Sequence, residues 1–182
     1  MMGPRMNWRL TVFTWLALTS ALCGSPTPSL SLEDLTREAE LILQGTVLGK
    51  SAEQDESGRI YTRVEFQVAE VWKGRLGQDR ILIVHSGGVS GRRRLTVTSQ
   101  VKFDLGEEAV VFLVRNARGE GVCLGMAQGK FRVCQDPVTG ERLAIPGLEE
   151  AAGTVESSPT NAPARTRLTL ADLKRWVSRS QP

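Results

Sequence analysis

Base chemistry in this 182-residue chain can rest on one imidazole, His85, which precedes the hydroxyl of Ser86. A nucleophile and its base must lie within hydrogen-bond reach of each other. Neighbouring residues on a strand point to opposite faces, so His85 and Ser86 do not make a catalytic pair, and no catalytic residue is assigned. A zinc site takes three or four nitrogen or sulfur ligands. One histidine with Cys123 and Cys134, two cysteines expected to be bridged to each other, does not make a convincing set, and the acids show no calcium-loop spacing. The glycines Gly87, Gly88 and Gly91 lack a phosphate-loop spacing and do not open a helix. Neither a metal nor a cofactor is expected, and the chain reads as non-enzymatic.

The strongest charge run is Arg92-Arg93-Arg94, with Arg80 and Lys102 as candidate neighbours. Two readings stand: contact with an acidic partner, a polyanion or lipid head groups, or a solvated loop whose charge guards an edge strand against mispairing. Loops on rigid scaffolds carry recognition, so the candidate partner-binding loop is Ser86, Gly87, Gly88, Arg92, Arg93 and Arg94. Cys123 and Cys134 sit on segments 122–126 and 130–134, which read as two arms turning at 127–129. A register centred there sets the thiols opposite each other, and a disulfide is expected; two buried free thiols are the alternative. A redox pair is disfavoured because the CxxC spacing is absent.

The elements that position these groups are mostly strands. Along 60–68, Ile60, Val64, Phe66 and Val68 share one face while Arg63, Glu65 and Gln67 share the other. Strand 41–47 contains Gly45, which marks a bend or a close backbone approach. At 69–72 the alternation slips and a bulge is expected. Segments 81–84 and 109–114 are evenly apolar and read as buried on both faces, with a polar strand at 95–98 and a last strand at 142–145. Residues 51–59 read as a charged turn and 86–91 as a flexible loop. A short helix is expected over 31–39, capped by Ser31, and a second from Thr169 with Leu170, Leu173, Trp176 and Val177 as its apolar stripe.

Residues 1–23 have the pattern of a secretory signal: Arg5 and Arg9, an apolar run of 10–22, then small residues. That run is shorter than the roughly 20 residues a membrane helix needs, so no transmembrane span is expected after cleavage. Cys23 offers a second reading as a lipid-anchored cysteine, but Leu22 precedes it where Gly or Ala is usual. Removing 1–23 leaves 21 basic against 20 acidic residues, too little net charge to gather nucleic acid. The organisation expected is signal 1–23, spacer 24–30, a β-barrel domain 31–145, a flexible Gly, Ser, Thr and Pro linker 146–167, and a C-terminal amphipathic helix 168–179. The protein is thus expected to be secreted or periplasmic.

Three segments carry a family resemblance: 39–47, 64–74 and 103–112. Their pattern resembles the netrin-like, tissue-inhibitor-of-metalloproteinase type of module, an OB-like antiparallel barrel. The Gly87-Gly88 loop and residues 125–131 are similar to a group of uncharacterised exported bacterial proteins. The resemblance implies an OB-like fold and a protein partner, with a protease among the candidates; OB-like barrels of other families also bind oligosaccharides or nucleic acids, and of these a glycan is the ligand class expected. The inhibitors' zinc-chelating N-terminal CxC pair is not carried over, because Cys23 has no cysteine two residues on. The competing expectations are a structural envelope protein tethered at Cys23, or a metal-dependent enzyme lacking an evident ligand set.

Overall fold

The computed structural model describes residues 29–148 and 168–180. The expected signal at 1–23, most of the spacer and nearly all of the linker lie outside the described residues. Within them the protein is mainly β.

Helix α1 (Leu32–Glu38) starts where Ser31 Oγ accepts the Asp34 N–H at 3.0 Å, while the Asp34 carboxylate accepts the Ser31 N–H. This reciprocal cap satisfies two donors that the first helical turn leaves open. Strands β1 (Leu41–Gln54), β2 (Ile60–Lys73) and β3 (Arg80–Ser86) follow as an antiparallel run. Next come a small hairpin of β4 (Gly88–Ser90) and β5 (Arg93–Leu95), then β6 (Glu108–Arg115) and β7 (Gly121–Cys123). A 3-10 turn (Met126–Gly129) leads into β8 (Lys130–Gln135), β9 (Arg142–Pro146) and, after the undescribed segment, α2 (Leu170–Arg179).

The main sheet runs β1-β2-β3-β7-β6-β8-β9, and β6 also pairs with β1. Five strands therefore close a ring, with the parallel step at β3–β7, through Ile83 and Gly121. Inside it pack Leu41, Leu43, Val64, Phe66, Ile83, Val111 and Leu113. Strands β1 and β6 are apolar on both faces because they serve two cores. Ile42, Val110 and Phe112 point outward, where Leu35 of α1 and Leu170, Leu173 and Val177 of α2 cover them.

The ladder between β1 and β2 skips Ala69 and Trp72, so the expected irregularity at 69–72 is present, and Leu48 adds another on β1. The slip turns Glu70 outward, where it meets Lys174 of α2 and accepts the Trp72 indole N–H at 3.0 Å. Gly45 is a close approach: a Cβ there would lie 2.0 Å from the Gln67 carbonyl oxygen.

Four expectations need correction. Strand β1 runs on to Gln54, so the charged turn is only 55–59. Leu82 of β3 is 40% exposed, because no helix covers the outer face there; only Ile81 and Ile83 point inward. The segment 86–91 is not a loose loop, since β4 pairs with β5 through Gly88–Leu95, Val89–Arg94 and Ser90–Arg93, and the strand expected at 95–98 ends at Leu95. Cys123 and Cys134 are both free. Their segments are not arms of one hairpin: β7 pairs with the C-terminal end of β6 (Leu113–Cys123) and β8 with its N-terminal end (Ala109–Arg132). Those two rungs alone are about 14 Å apart at ~3.4 Å per residue, whereas a bridge needs Cα atoms within about 7 Å.

Candidate functional site

The loop singled out from its arginines is built on close backbone contact at one end of the ring. Gly87 donates its N–H to the Ile60 carbonyl at 2.9 Å, and its own carbonyl accepts the Thr62 hydroxyl at 2.8 Å. At Gly88, with φ +136, a Cβ would lie 2.5 Å from Thr62 Oγ1 and 3.0 Å from the Ala52 side chain. Glycine alone lets the chain leave β3 this close to β1 and β2. The hairpin is thereby pinned at its base and exposed at its tip.

Arg92, Arg93 and Arg94 are exposed, and among the described residues no hydrogen bond or ion pair engages their guanidinium groups. Three other cations of this end are occupied. Arg59 pairs with Asp55 at 2.8 Å, Arg63 with Glu53 at 3.2 Å and Arg118 with Glu120 at 3.4 Å. Arg80, considered as a neighbour of the run, sits at the other end of β3 and bonds Gln67 at 3.0 Å. Lys102, the other neighbour considered, does line the cavity beside Arg94.

His85 lies under the hairpin and lines three adjoining cavities of about 450, 440 and 250 Å³. Its ring stacks on Phe103 at 6.3 Å between centroids. Its Nδ1 is 3.1 Å from the Ser86 carbonyl oxygen, which can only accept, so Nδ1 carries the proton. Burial holds the His85 pKa below its ordinary value, and the nearby charge of Lys50 adds to that, against the opposing bond to Ser86. Among the described residues no acid bonds the ring, so it has the geometry of a wall residue.

Cys123 lines the largest of these cavities together with His85. Burial pushes its thiol pKa up to about 12, so the thiolate that nucleophilic attack needs is scarce near neutral pH. Among the described residues, no group of three or more His, Cys, Asp and Glu side chains is placed to hold a metal ion. No helix among them is long and apolar enough to cross a membrane.

The sequence marks the arginine run and Lys102 but not Lys50, Gln100, Val101 and Phe103, all of which come to His85. Lys50 is fixed there by donating to the Phe103 carbonyl at 2.8 Å. Segment 97–104 carries no periodicity that would announce it as a wall. No family model and no curated protein matches the chain.

Proposed function

We propose that this protein is an exported, non-enzymatic binding module with an OB-like core, which recognises a protein or glycan through the β4–β5 hairpin and the ring end beneath it. The observation that carries this reading is the set of three exposed arginines without partners among the described residues, presented on a hairpin whose base is locked by Gly87 and Gly88. Side chains that serve the fold are normally engaged, as Arg59, Arg63 and Arg118 are here. The OB-like reading is supported by five strands closing in the order β1-β2-β3-β7-β6, as small closed Greek-key barrels do. Export is supported by the pattern of residues 1–23, and a protease among the partners only by the family resemblance.

The test is capture from a native envelope or secreted fraction with the wild-type chain and with Arg92→Ala/Arg93→Ala/Arg94→Ala, followed by cross-link mapping. The expected result is one species cross-linked within 86–95 and lost from the triple variant, with retention falling as salt rises. Equal capture of the same species by both proteins would return the arginines to a solubility role.

A further inference from the structure

The cavities around His85 share walls. The 440 and 250 Å³ cavities have His85, Gly88, Val89, Val101 and Lys102 in common, so they adjoin as a hollow between the hairpin and segment 97–104. Its charge is one-sided. Lys50, Arg94 and Lys102 line it, against the single carboxylate of Asp104, whose side chain is 79% exposed and lies 3.7 Å from Lys50. On the far side of His85, in the 450 Å³ cavity, Arg59 and Arg118 already have acidic partners, Asp55 and Glu120. Val89, Val101 and Phe103 supply an apolar wall, and Ser51 and Thr96 supply hydroxyls.

We propose that this hollow binds a small organic anion, an apolar body bearing a carboxylate or a phosphate ester, with Lys50, Arg94 and Lys102 holding the charged oxygens. The larger of the two adjoining cavities, about 440 Å³, falls in the roughly 300–1,000 Å³ range of small-ligand sites, which are mostly apolar with a few placed polar groups. The cations are preset: Lys50 is anchored on the Phe103 carbonyl, and the hairpin bearing Arg94 is locked at its base. The site shares Arg94 with the recognition hairpin, and Lys50 and Lys102, which lie outside that hairpin, separate the two readings.

His85 reports on occupancy. Its Nδ1 is committed to the Ser86 carbonyl, so a second proton goes to Nε2. The charged groups around it are Lys50 from β1, Arg94 from β5, Lys102 and Asp104 from segment 97–104, and Asp55, Arg59 and Arg118 across the larger cavity, with Tyr61 and Cys123 as the neutral titratable groups. An anion added to this surplus of cations favours the imidazolium and raises the His85 pKa. By linkage, the anion binds more tightly as pH falls through that range.

The chain has one histidine, so its imidazole NMR signals need no assignment. Benzoate and phenyl phosphate are titrated in separate arms to distinguish carboxylate from phosphate, with benzyl alcohol and inorganic phosphate as controls. The expected result is a saturable shift of the His85 signals with one or both organic anions, an upward move of its titration midpoint, and no saturable shift with benzyl alcohol. Lys102→Ala, which keeps every hairpin arginine, should weaken binding about tenfold, as the loss of one charged contact implies. Arg94→Ala/Lys102→Ala, both at exposed positions, should abolish binding while the fold persists. The proposal is overturned if neither organic anion gives a saturable shift, if benzyl alcohol matches benzoate, if inorganic phosphate binds as tightly as phenyl phosphate, or if the double variant binds unchanged. Any of these would leave the capture result with the triple arginine variant standing on its own.

Discussion

Lys130 is 1% exposed and its Nζ is paired with a carboxylate. Its Nζ is 2.6 Å from Glu107 Oε1, also donates to the Lys102 carbonyl, and sits 5.0 Å from the centre of the Phe103 ring. Glu107 in turn accepts the Asp104 N–H at 2.8 Å. The pair ties β8 to the segment that walls the hollow under the hairpin. Removing one member strands the other in a dry setting, so Lys130→Met should cost about 3–5 kcal/mol, read from urea unfolding. Adding Glu107→Gln should recover part of that loss, because the stranded carboxylate is gone. His85 gives a milder effect of defined sign. Its folded pKa lies below the unfolded value of ~6.5, so around and below that pH the unfolded chain binds more protons. Stability should be undiminished above pH ~6.5 and decline as pH falls toward the folded pKa. In His85→Gln this part of the pH dependence should flatten, as judged by urea midpoints across pH 4–8.

Among the elements, α2 illustrates how much a local pattern can tell. Thr169 caps it by accepting the Asp172 N–H at 3.0 Å, and Leu170, Leu173 and Val177 are buried against the outward face of β1 and β6. Leu173→Ala should therefore destabilise the protein by about 2–5 kcal/mol, with a lower melting temperature. Loss of under 0.5 kcal/mol would mean that the helix does not dock. Cap, stripe and spacing were legible because each lies within one or two turns of chain. So was the alternation of β2, and so was the irregularity at 69–72, where Val71 and Trp72 break the period. The β4–β5 hairpin was not, since three-residue strands are too short to show a period and Gly87 and Gly88 mimic a loose loop. The cysteine register failed for a different reason. The 3-10 turn at Met126–Gly129 has the sequence of a hairpin tip, but it sends β7 and β8 to opposite ends of β6. As for the candidate site, the arginines stood out as a run, whereas Lys50 and Phe103 meet His85 only through long-range closure.

At the scale of the whole molecule, two cores share one wall. Strands β1 and β6 present Leu41, Leu43, Val111 and Leu113 to the ring interior and Ile42, Val110 and Phe112 to the helices. Every other layer leans on that pair, which explains why the apolar runs of 41–43 and 109–113 show no strand period. The pair also joins Leu41 to Leu113, residues far apart in the chain. Such distant partners slow folding, because loop closure must be met before the contact returns anything. The same separation sets an order during synthesis. A ribosome emits about 5–20 residues each second, so β1 must wait several seconds, unpaired on that edge, before β6 leaves the exit tunnel. The wait lengthens again until Leu173 can cover Phe112, which leaves a growing chain slack enough to be threaded or handed to a chaperone for most of its translation.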